Sequence, residues 1–539
     1  MALTDTSSGW SFALNTGAGT AATYDTVTGG TVQLNAWSHV VATYNASTDI
    51  MNLYVDGVFV ATGAHTAPTT GATGDFVVGY GQTGSTYYEG QIAQIQTTTS
   101  SVLAPAQNYS APSYHQAITD ARVLDTRSAV GTTTVQDATC EAGDTHLTNG
   151  TTSADTAVAA DSTSTLQISG DTVCEAGSTS TTVTIPSTVS AVAIDVTLTS
   201  ESSTGFLSAY ADSTERPITS ATNYVASTTV TGYQVVPVGP DGKIAIYNAS
   251  TGTTALIVDI TGYYTSDYSA GSHQTGDQTY YPELGPFRAL DTRSSITNTS
   301  LSSTGTVAAG TTFTLQITGT GTGQLPTAAD NGAVAINVTT VNQTGTGFIE
   351  AYATGDEPAA GTTVSYGTSA MAGTNADVPL SSSGSISFYI NNSATNVIVD
   401  IFGYFENNDS GDTYHTTAPT RLVDTRDGIG GSTGAIASDS YYTIGQTAIN
   451  QITNATNPTP ALMLTAVSGT TFGNFIAFSE ELTSNPDASN LNWSGTAPES
   501  NLAIVSESTT DGDSGILVYN QSPGTVELIV DCAGYFSDN

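Results

Sequence analysis

The chain has 539 residues, with 47 acidic and only eight basic ones, so its formal net charge is −39 and its isoelectric point is near 4.1. Such a surface repels nucleic acid and anionic membranes and has no basic patch for a phosphate backbone, which argues strongly against nucleic-acid binding. No run of residues approaches the roughly 18 consecutive apolar positions of a membrane span, so membrane insertion is not expected. The mass of 54.9 kDa exceeds what one hydrophobic core usually organises. An acidic surface with so little lysine suits a saline extracellular setting.

The first hundred residues predict a β domain. In residues 35–63, NAWSHVVATYNASTDIMNLYVDGVFVATG, apolar and polar positions alternate before an Asp-Gly turn, a pattern that predicts a hairpin. Together with YYEGQIAQIQ at 87–96, this stretch resembles the laminin-G or concanavalin-like jelly roll, and we assign that domain to residues 1–103. It is short for the family. A reduced domain, a processed or truncated chain, and a sheet completed by a neighbouring subunit remain open.

The resemblance implies a sugar or calcium ligand for this first domain. A calcium site needs clustered carboxylate and carbonyl oxygens, but the spacing of the three available acids matches no calcium loop, and Asp56 fits a turn. We therefore predict no cofactor, with calcium in this first domain as the alternative. Three tyrosines could stack on a sugar, or could be ordinary sheet aromatics. The acids are Asp49, Asp56 and Asp75, and the tyrosines are Tyr80, Tyr87 and Tyr88.

Three cysteines are present, and two have similar surroundings in the sequence. Cys140 and Cys174 lie in ATCEAGD and TVCEAGS. We predict a disulfide between them, which the chain-entropy model values at roughly 3–4 kcal/mol, with two free thiols as the alternative. Cys532 has no evident mate, and its place in the last strand predicts a buried apolar position.

Six of the eight basic residues fall in three copies of one hexapeptide: RVLDTR at 122–127, RALDTR at 288–293 and RLVDTR at 421–426. Each copy heads a β-rich stretch that closes on a Gly-aromatic-aromatic tail, at 256–264, 397–405 and 528–536. Strands rich in Val, Ile, Thr and Tyr between Gly and Asn turns predict an all-β chain of tandem antiparallel β-sandwich or jelly-roll modules. The predicted modules span 114–266, with an insertion that carries the cysteines, then 280–407 and 414–539. Their arrangement, as beads or as a pseudo-threefold cluster, is left open.

The arginines of the hexapeptide recur with two aspartates in each copy. One aspartate lies in the hexapeptide, and the other lies in the strand that carries the tail, called the closing strand here. Because arginine pairs well with a partly buried carboxylate, we predict that these residues form structural ion pairs that tie the first strand of each module to the last. An arginine-lined site for an anionic ligand and docking between modules are the alternatives. The predicted residues are Arg122, Asp125, Arg127, Asp259, Arg288, Asp291, Arg293, Asp400, Arg421, Asp424, Arg426 and Asp531.

Residues 114–539 resemble the RLLDTR-headed, GYF-tailed repeats of large bacterial extracellular proteins, on the strength of the recurring head and tail. The family has no catalytic activity assigned to it. The resemblance therefore implies architecture and an extracellular setting but no active site.

Sequence patterns for catalysis are lacking as well. The acid-rich strand typical of glucanases does not occur, the six histidines show no metal spacing, and there is no nucleophile elbow, P-loop or zinc pattern. We expect a non-enzymatic structural or attachment protein that forms homo-oligomers or assembles on a capsid, tail or cell surface. A virion decoration, spike or fibre protein of a phage is the first hypothesis, because the opening MALTDTSSGW lacks a basic, then apolar secretory signal. A secreted bacterial adhesin or filament or sheath subunit is the alternative.

Overall fold

The fold was analysed in a computed structural model. It describes residues 2–6, 9–15, 24–30, 40–45, 49–55, 58–66, 113–127, 157–175, 182–239, 241–265, 277–321, 324–329, 332–358, 361–368, 371–408, 410–453, 455, 457–507 and 515–538. These residues form antiparallel sheets with two single-turn helices, so the all-β prediction is confirmed.

The described part of the N-terminal unit has six strands in two three-stranded meanders, β1-β2-β3 and β4-β5-β6. Alternating residues of facing strands form its core, which includes Phe12, Leu14, Val27, Met51 and Leu53. The strands are β1 (Ala2–Thr6), β2 (Gly9–Asn15), β3 (Tyr24–Gly29), β4 (Val40–Asn45), β5 (Ile50–Val55) and β6 (Val58–Ala64).

The first repeat, called module 1 here, is a sandwich of two sheets. One has the strand order β10-β9-β7-β16-β11-β14 and the other β13-β12-β15-β8. The two extra strands at the edge of the larger sheet come from the inserted segment. The strands are β7 (Tyr114–Asp125), β8 (Ser162–Gln167), β9 (Thr172–Glu175), β10 (Thr182–Thr184), β11 (Val189–Thr199), β12 (Gly205–Ala211), β13 (Thr222–Tyr224), β14 (Val230–Pro237), β15 (Lys243–Ser250) and β16 (Ala255–Thr265).

Module 2 repeats this topology without the extra strands, in sheets β17-β24-β19-β22 and β18-β23-β20-β21. A 3₁₀ turn, Thr327–Ala329, precedes β19. The strands are β17 (Thr279–Asp291), β18 (Thr312–Gln316), β19 (Ala333–Val341), β20 (Gly347–Ala353), β21 (Val364–Tyr366), β22 (Ala372–Pro379), β23 (Ser385–Ile390) and β24 (Asn396–Glu406).

Module 3 has the sheets β25-β32-β27-β30 and β26-β31-β28-β29. The short helix α1, Gln446–Ile449, follows β26. The strands are β25 (Thr413–Asp424), β26 (Ser440–Gly445), β27 (Thr459–Val467), β28 (Gly473–Ser479), β29 (Leu491–Trp493), β30 (Glu499–Ile504), β31 (Gly515–Asn520) and β32 (Glu527–Ser537).

In every module the hexapeptide strand pairs with the closing strand, and each module has its own apolar core between its two sheets. In the closing strand of module 3, Val530 and Cys532 point into that core, so Cys532 is buried as its position predicts. A fourth apolar cluster draws on all three modules. The three modules belong to one compact unit, and the N-terminal strands belong to another.

Candidate functional site

The first arginine of each hexapeptide holds the aspartate of its closing strand in a two-point ion pair. Nε of Arg122, Arg288 and Arg421 lies 2.8 Å from Oδ1 of Asp259, Asp400 and Asp531, respectively. The second contact, from Nη2 to Oδ2, measures 3.0, 3.2 and 3.0 Å. The aspartates are at most 4 % exposed and the arginines 12–21 %. This pairing links the first strand of each module to its last, and burial makes it sensitive to the loss of either partner.

The second arginine has a local partner instead. Arg127, Arg293 and Arg426 donate through Nε and Nη2 to the aspartate two residues earlier, and the backbone N–H of each arginine donates to the same carboxylate. These arginines are 42–49 % exposed. The expectation that both arginines of a copy join the two strands is therefore wrong for the second one, because the chain turns directly after the aspartate.

The carboxylates of these turns ionise readily. Burial alone would raise the pKa of Asp125 and Asp291, but the hydrogen bonds from Arg127 and Arg293 outweigh it, and both pKa values are lowered. The hydrogen bond from Arg426 is the largest influence on Asp424 and lowers its pKa as well.

Each closing-strand aspartate points away from its own core, and two of them accept hydrogen bonds from a neighbouring module. The backbone N–H of Ser489, in module 3, donates to Oδ2 of Asp400 in module 2 at 2.9 Å. The backbone N–H of Ser220, in module 1, donates to Oδ2 of Asp531 in module 3 at 3.1 Å. The same carboxylates thus serve the module fold and the contact between modules.

The arginines share in this docking. Arg288 Nη1 lies 3.4 Å from Asp487 Oδ1 of module 3, and Arg421 Nη2 lies 3.3 Å from the carbonyl oxygen of Ile218 in module 1. At the third contact, Gly361 of module 2 packs directly against the Asp120 carboxylate of module 1, leaving no room for a Cβ atom. Module 3 therefore docks on module 2, module 1 on module 3 and module 2 on module 1, which closes a ring.

Aromatic residues from all three modules meet at the centre of the ring. They come from the closing strands, whose last aromatic residue lies here rather than in its own module core, and from the facing hexapeptide strands. Ring centroids of Tyr264 and Tyr414 are 4.4 Å apart, and those of Tyr280 and Phe536 are 4.5 Å apart. The set is His115, Tyr264, Tyr280, Phe405, Tyr414 and Phe536. A shared apolar cluster of this kind joins the modules into one body.

A buried asparagine network adds directional bonds between modules 2 and 3. Asn501 Nδ2 donates to Oδ1 of Asn337 at 3.0 Å and to Oδ1 of Asn375 at 3.1 Å. Asn501 in turn accepts from the backbone N–H of Asn375 at 3.1 Å. Because buried amides need specific hydrogen-bond partners, this network fixes the position of module 3 on module 2.

Module 1 contributes two further buried acids, Asp195 and Asp120. Asp195 faces Asp259 directly across the pair of strands β11 and β16, and its Oδ1 has no hydrogen-bond partner among the described residues. Burial raises the pKa of Asp195 well above its usual value, and the nearby Asp120 and Asp259 raise it further. Burial likewise raises the pKa of Asp120. These carboxyl groups favour the protonated form.

Asp377 is a third acid of this kind, at the interface of modules 1 and 2. Burial raises its pKa to about 7, although the Tyr233 hydroxyl donates to Oδ2 at 2.6 Å and opposes the shift. The nearby His115 Nε2 lies 3.8 Å from the same oxygen, but burial lowers the pKa of this histidine to about 4. His115 is therefore neutral near pH 7 and supplies no charge to Asp377.

Several residues singled out in the sequence lie outside the described part of the chain: Tyr80, Tyr87, Tyr88, Asp56, Asp75 and Cys140. The backbone of Cys174 pairs with those of Arg122 and Thr182, but its side chain is also outside that part, so the disulfide stays a prediction. Asp49 accepts a hydrogen bond from the Tyr44 hydroxyl at 2.8 Å and occupies a turn at φ 55°. Within the described ranges, no three His, Cys, Asp or Glu side chains form a metal-binding group.

Sequence reasoning missed the loops that dock on the next module and the central position of the tail aromatics. One signal was available for the loops. Ser220 and Ser489 lie four residues before Tyr224 and Trp493, the aromatic ends of the equivalent strands β13 and β29. The alternation of a strand, however, does not distinguish a polar face that meets another module from one that meets solvent.

The family model of the concanavalin A-like lectin/glucanases superfamily matches residues 1–105, which confirms the concanavalin-like assignment of the first domain. A search of curated proteins finds no match to the chain. Within the part of the chain that the structure describes, no helix is long and apolar enough to cross a membrane. The likeness of residues 114–539 to the RLLDTR-headed repeats stays a prediction.

Proposed function

We propose that this chain is a non-enzymatic structural and attachment protein of a biological surface, in which the concanavalin-like domain binds a glycan and the three modules form a rigid support. The observation that carries the proposal is the ring of modules. A chain of independent beads would leave the closing-strand aspartates and tail aromatics facing solvent, whereas here they join three sandwiches through buried ion pairs, amides and rings. Rigid, interlocked β modules suit a protein that must keep its shape outside the cell.

The glycan part of the proposal is supported by the superfamily match at residues 1–105, since lectins are among its members. We assign the sugar contacts to Tyr80, Tyr87 and Tyr88. In the full chain, the double substitution of Tyr87 and Tyr88 by alanine should abolish binding of this domain on a glycan array, with Tyr80→Ala as a second test. Unchanged array binding by both variants would rule out these tyrosines, and no array binding by the wild type would rule out a lectin role.

The first assignment of the surface is a phage virion, as a decoration, spike or fibre component; the alternative is a bacterial cell-surface adhesin or filament subunit. Electron microscopy with mass determination of protein from its native source separates the two. Regular attachment to a capsid or tail would support the virion. Filaments or sheets on cells would overturn it and favour the adhesin, while a dispersed protein with glycan-cleaving activity would overturn the structural role itself.

A further inference from the structure

Module 3 carries an open groove on the face of the sheet β26-β31-β28-β29 that is turned away from the module core, beside the point where Gly285 of module 2 packs against Phe478 and Leu482. Its volume is ≈ 340 Å³, at the lower end of the range of about 300–1,000 Å³ that is typical of small-molecule sites. Tyr441, Leu517 and Phe478 form its floor, and the segment 482–485 forms its wall. The floor is therefore apolar and partly aromatic, while the wall supplies the polar side chains of Thr483, Ser484 and Asn485.

Tyr441 is placed to stack on a ligand. Its side chain is 50 % exposed, and its ring packs on Tyr519, with centroids 4.8 Å apart and planes at 31°. Both hydroxyls are anchored, because Tyr441 donates to Asn485 Oδ1 at 2.8 Å and Tyr519 donates to Asp439 Oδ1 at 3.1 Å. Fixed, exposed aromatic rings lose little conformational entropy when a ligand binds.

The same position differs in the other two modules. Register places Tyr247 of module 1 and Tyr389 of module 2 where module 3 has Tyr519, but their cross-strand neighbours are Thr163 and Thr312 instead of a tyrosine. In module 1, moreover, the Arg216 guanidinium covers the Tyr247 ring at 3.8 Å from its centroid. Neither module pairs two tyrosines here, so the paired tyrosines are a feature that module 3 adds to a shared fold.

We propose that this groove of module 3 binds a neutral hexopyranose of a glycan, separately from the concanavalin-like domain. A pyranose presents an apolar C–H face that can stack on Tyr441, and hydroxyl groups that can bond to the amide and hydroxyl groups of the wall. An anionic sugar is disfavoured, because Asp439, Glu480 and Glu481 come next to the groove along the chain and the whole chain is strongly acidic. Arg288, which reaches Asp487 two residues beyond the wall segment, is already bound to Asp400.

The test is affinity electrophoresis of the full chain through native gels that contain soluble neutral polysaccharides, namely mannan, galactomannan and laminarin, with alginate as the anionic probe. We expect at least one neutral gel to retard the wild type, and Tyr441→Ala to weaken the apparent affinity in that gel about tenfold. Tyr389→Ala, which removes from module 2 the tyrosine equivalent to Tyr519, at a site whose cross-strand neighbour is Thr312, is the control and should behave as wild type.

Three results would overturn the proposal: no retardation in any neutral gel, retardation by alginate alone, or equal retardation of wild type and Tyr441→Ala. Retardation that depends on Tyr87 and Tyr88 but not on Tyr441 would place all binding in the first domain. Tyr441 is half exposed, so its loss should not unfold the sandwich. If circular dichroism shows that it does, Asn485→Ala, which removes the wall amide, replaces it and must show the same selective loss.

Discussion

The two arginines of each hexapeptide differ in solvent exposure, although they lie only five residues apart in the same motif. Arg288 is 21 % exposed and pairs with the fully buried Asp400, whereas Arg293 is 44 % exposed and pairs with Asp291 at the turn. Burial raises the pKa of Asp400 despite the hydrogen bond and charge of Arg288, which oppose the shift. Removing Arg288 therefore leaves a buried carboxyl group that keeps only Ser489 as a hydrogen-bond partner among the described residues.

We predict that Arg288→Ala lowers the unfolding free energy of the three-module unit by about 3–5 kcal/mol, because it strands the buried Asp400. Arg293→Ala, the matched control, should cost below about 1 kcal/mol, since Arg293 is 44 % exposed and Asp291 keeps the backbone N–H of residue 293 and Arg288 Nη1 at 3.8 Å. Differential scanning calorimetry of the full-length variants would show a clear drop in the midpoint only for Arg288→Ala. Equal decreases in the unfolding midpoint of the two variants would mean that the buried ion pair contributes no more to stability than the pair at the turn.

Asp195 is a residue whose charge opposes the fold. It faces Asp259 across two strands, and the equivalent residue of module 2 is Asn337, which pairs with Asp400 in the same register. Asn337 Nδ2 donates to the Ser489 carbonyl oxygen at 2.9 Å. An amide at this position is thus compatible with the fold of the repeat.

We predict that Asp195→Asn stabilises the protein at pH 8 by about 1–3 kcal/mol, because it removes a buried carboxylate with an unsatisfied oxygen. Since the raised pKa leaves this group largely protonated in acid, the gain should shrink at pH 4. Thermal unfolding at both pH values measures the difference. A loss of stability at pH 8 would show that the charge of Asp195 is needed.

Among the elements, the closing strand has three roles: it lines the module core, forms the ion pair with the hexapeptide and contacts the other modules. Its sequence predicts only the first two. Alternation in Val397–Phe405 predicts the core face, and the recurring aspartate predicts an ion pair with the hexapeptide, because both follow from the period of a strand. The outward position of Phe405 at the centre of the ring does not follow, since it depends on which module lies opposite. Likewise, the partner of Asp400 in another module is set by tertiary packing over 89 residues of sequence separation.

The glycine of the tail motif is explained by that packing. A Cβ atom on Gly403 would overlap the Tyr280 hydroxyl, and one on Gly534 would overlap the hydroxyl of Tyr414. The hydroxyl end of the facing tyrosine therefore lies directly against the glycine. This close approach, rather than an unusual backbone angle, is why glycine precedes the two aromatic residues.

We predict that Gly403→Ala destabilises the unit by about 1–3 kcal/mol through overpacking against Tyr280. Gly367→Ala, in the same module, is the control, because no atom lies within 4 Å of its built Cβ. Thermal midpoints of both variants should separate them. Hydrogen exchange of Gly403→Ala should show faster exchange along β17 and β24; unchanged exchange in those strands would contradict the assigned contact.

At the scale of the whole molecule, buried acids make the protein less stable as the pH rises. Burial raises the pKa to about 7 for Asp377, and also for Glu499 and Glu507. Each of these groups binds a proton more tightly in the folded chain than in the unfolded one. Its contribution is complete below the unfolded value near 4 and is lost as the pH rises through about 7.

The turn aspartates have the opposite effect on the pH dependence of stability, and they act at lower pH. Because the pKa of Asp125, Asp291 and Asp424 is lowered, their contribution is present above the unfolded value and is lost only as the pH falls through the still lower folded value. The two groups together place the greatest stability near pH 4–5, between the two windows.

We predict that the midpoint of thermal unfolding falls from pH 5 to pH 7.5, with a slope in free energy of about 1.4 kcal/mol per pH unit for each proton released. Asp377→Asn keeps an oxygen that can accept from Tyr233 and removes one titrating group, so its midpoint should fall less steeply. Asp427→Asn makes the same change of charge at an exposed position and should leave the slope as it is. A wild-type midpoint that rises across this range would show that Asp377, Glu499 and Glu507 are ionised and stabilised in the folded protein.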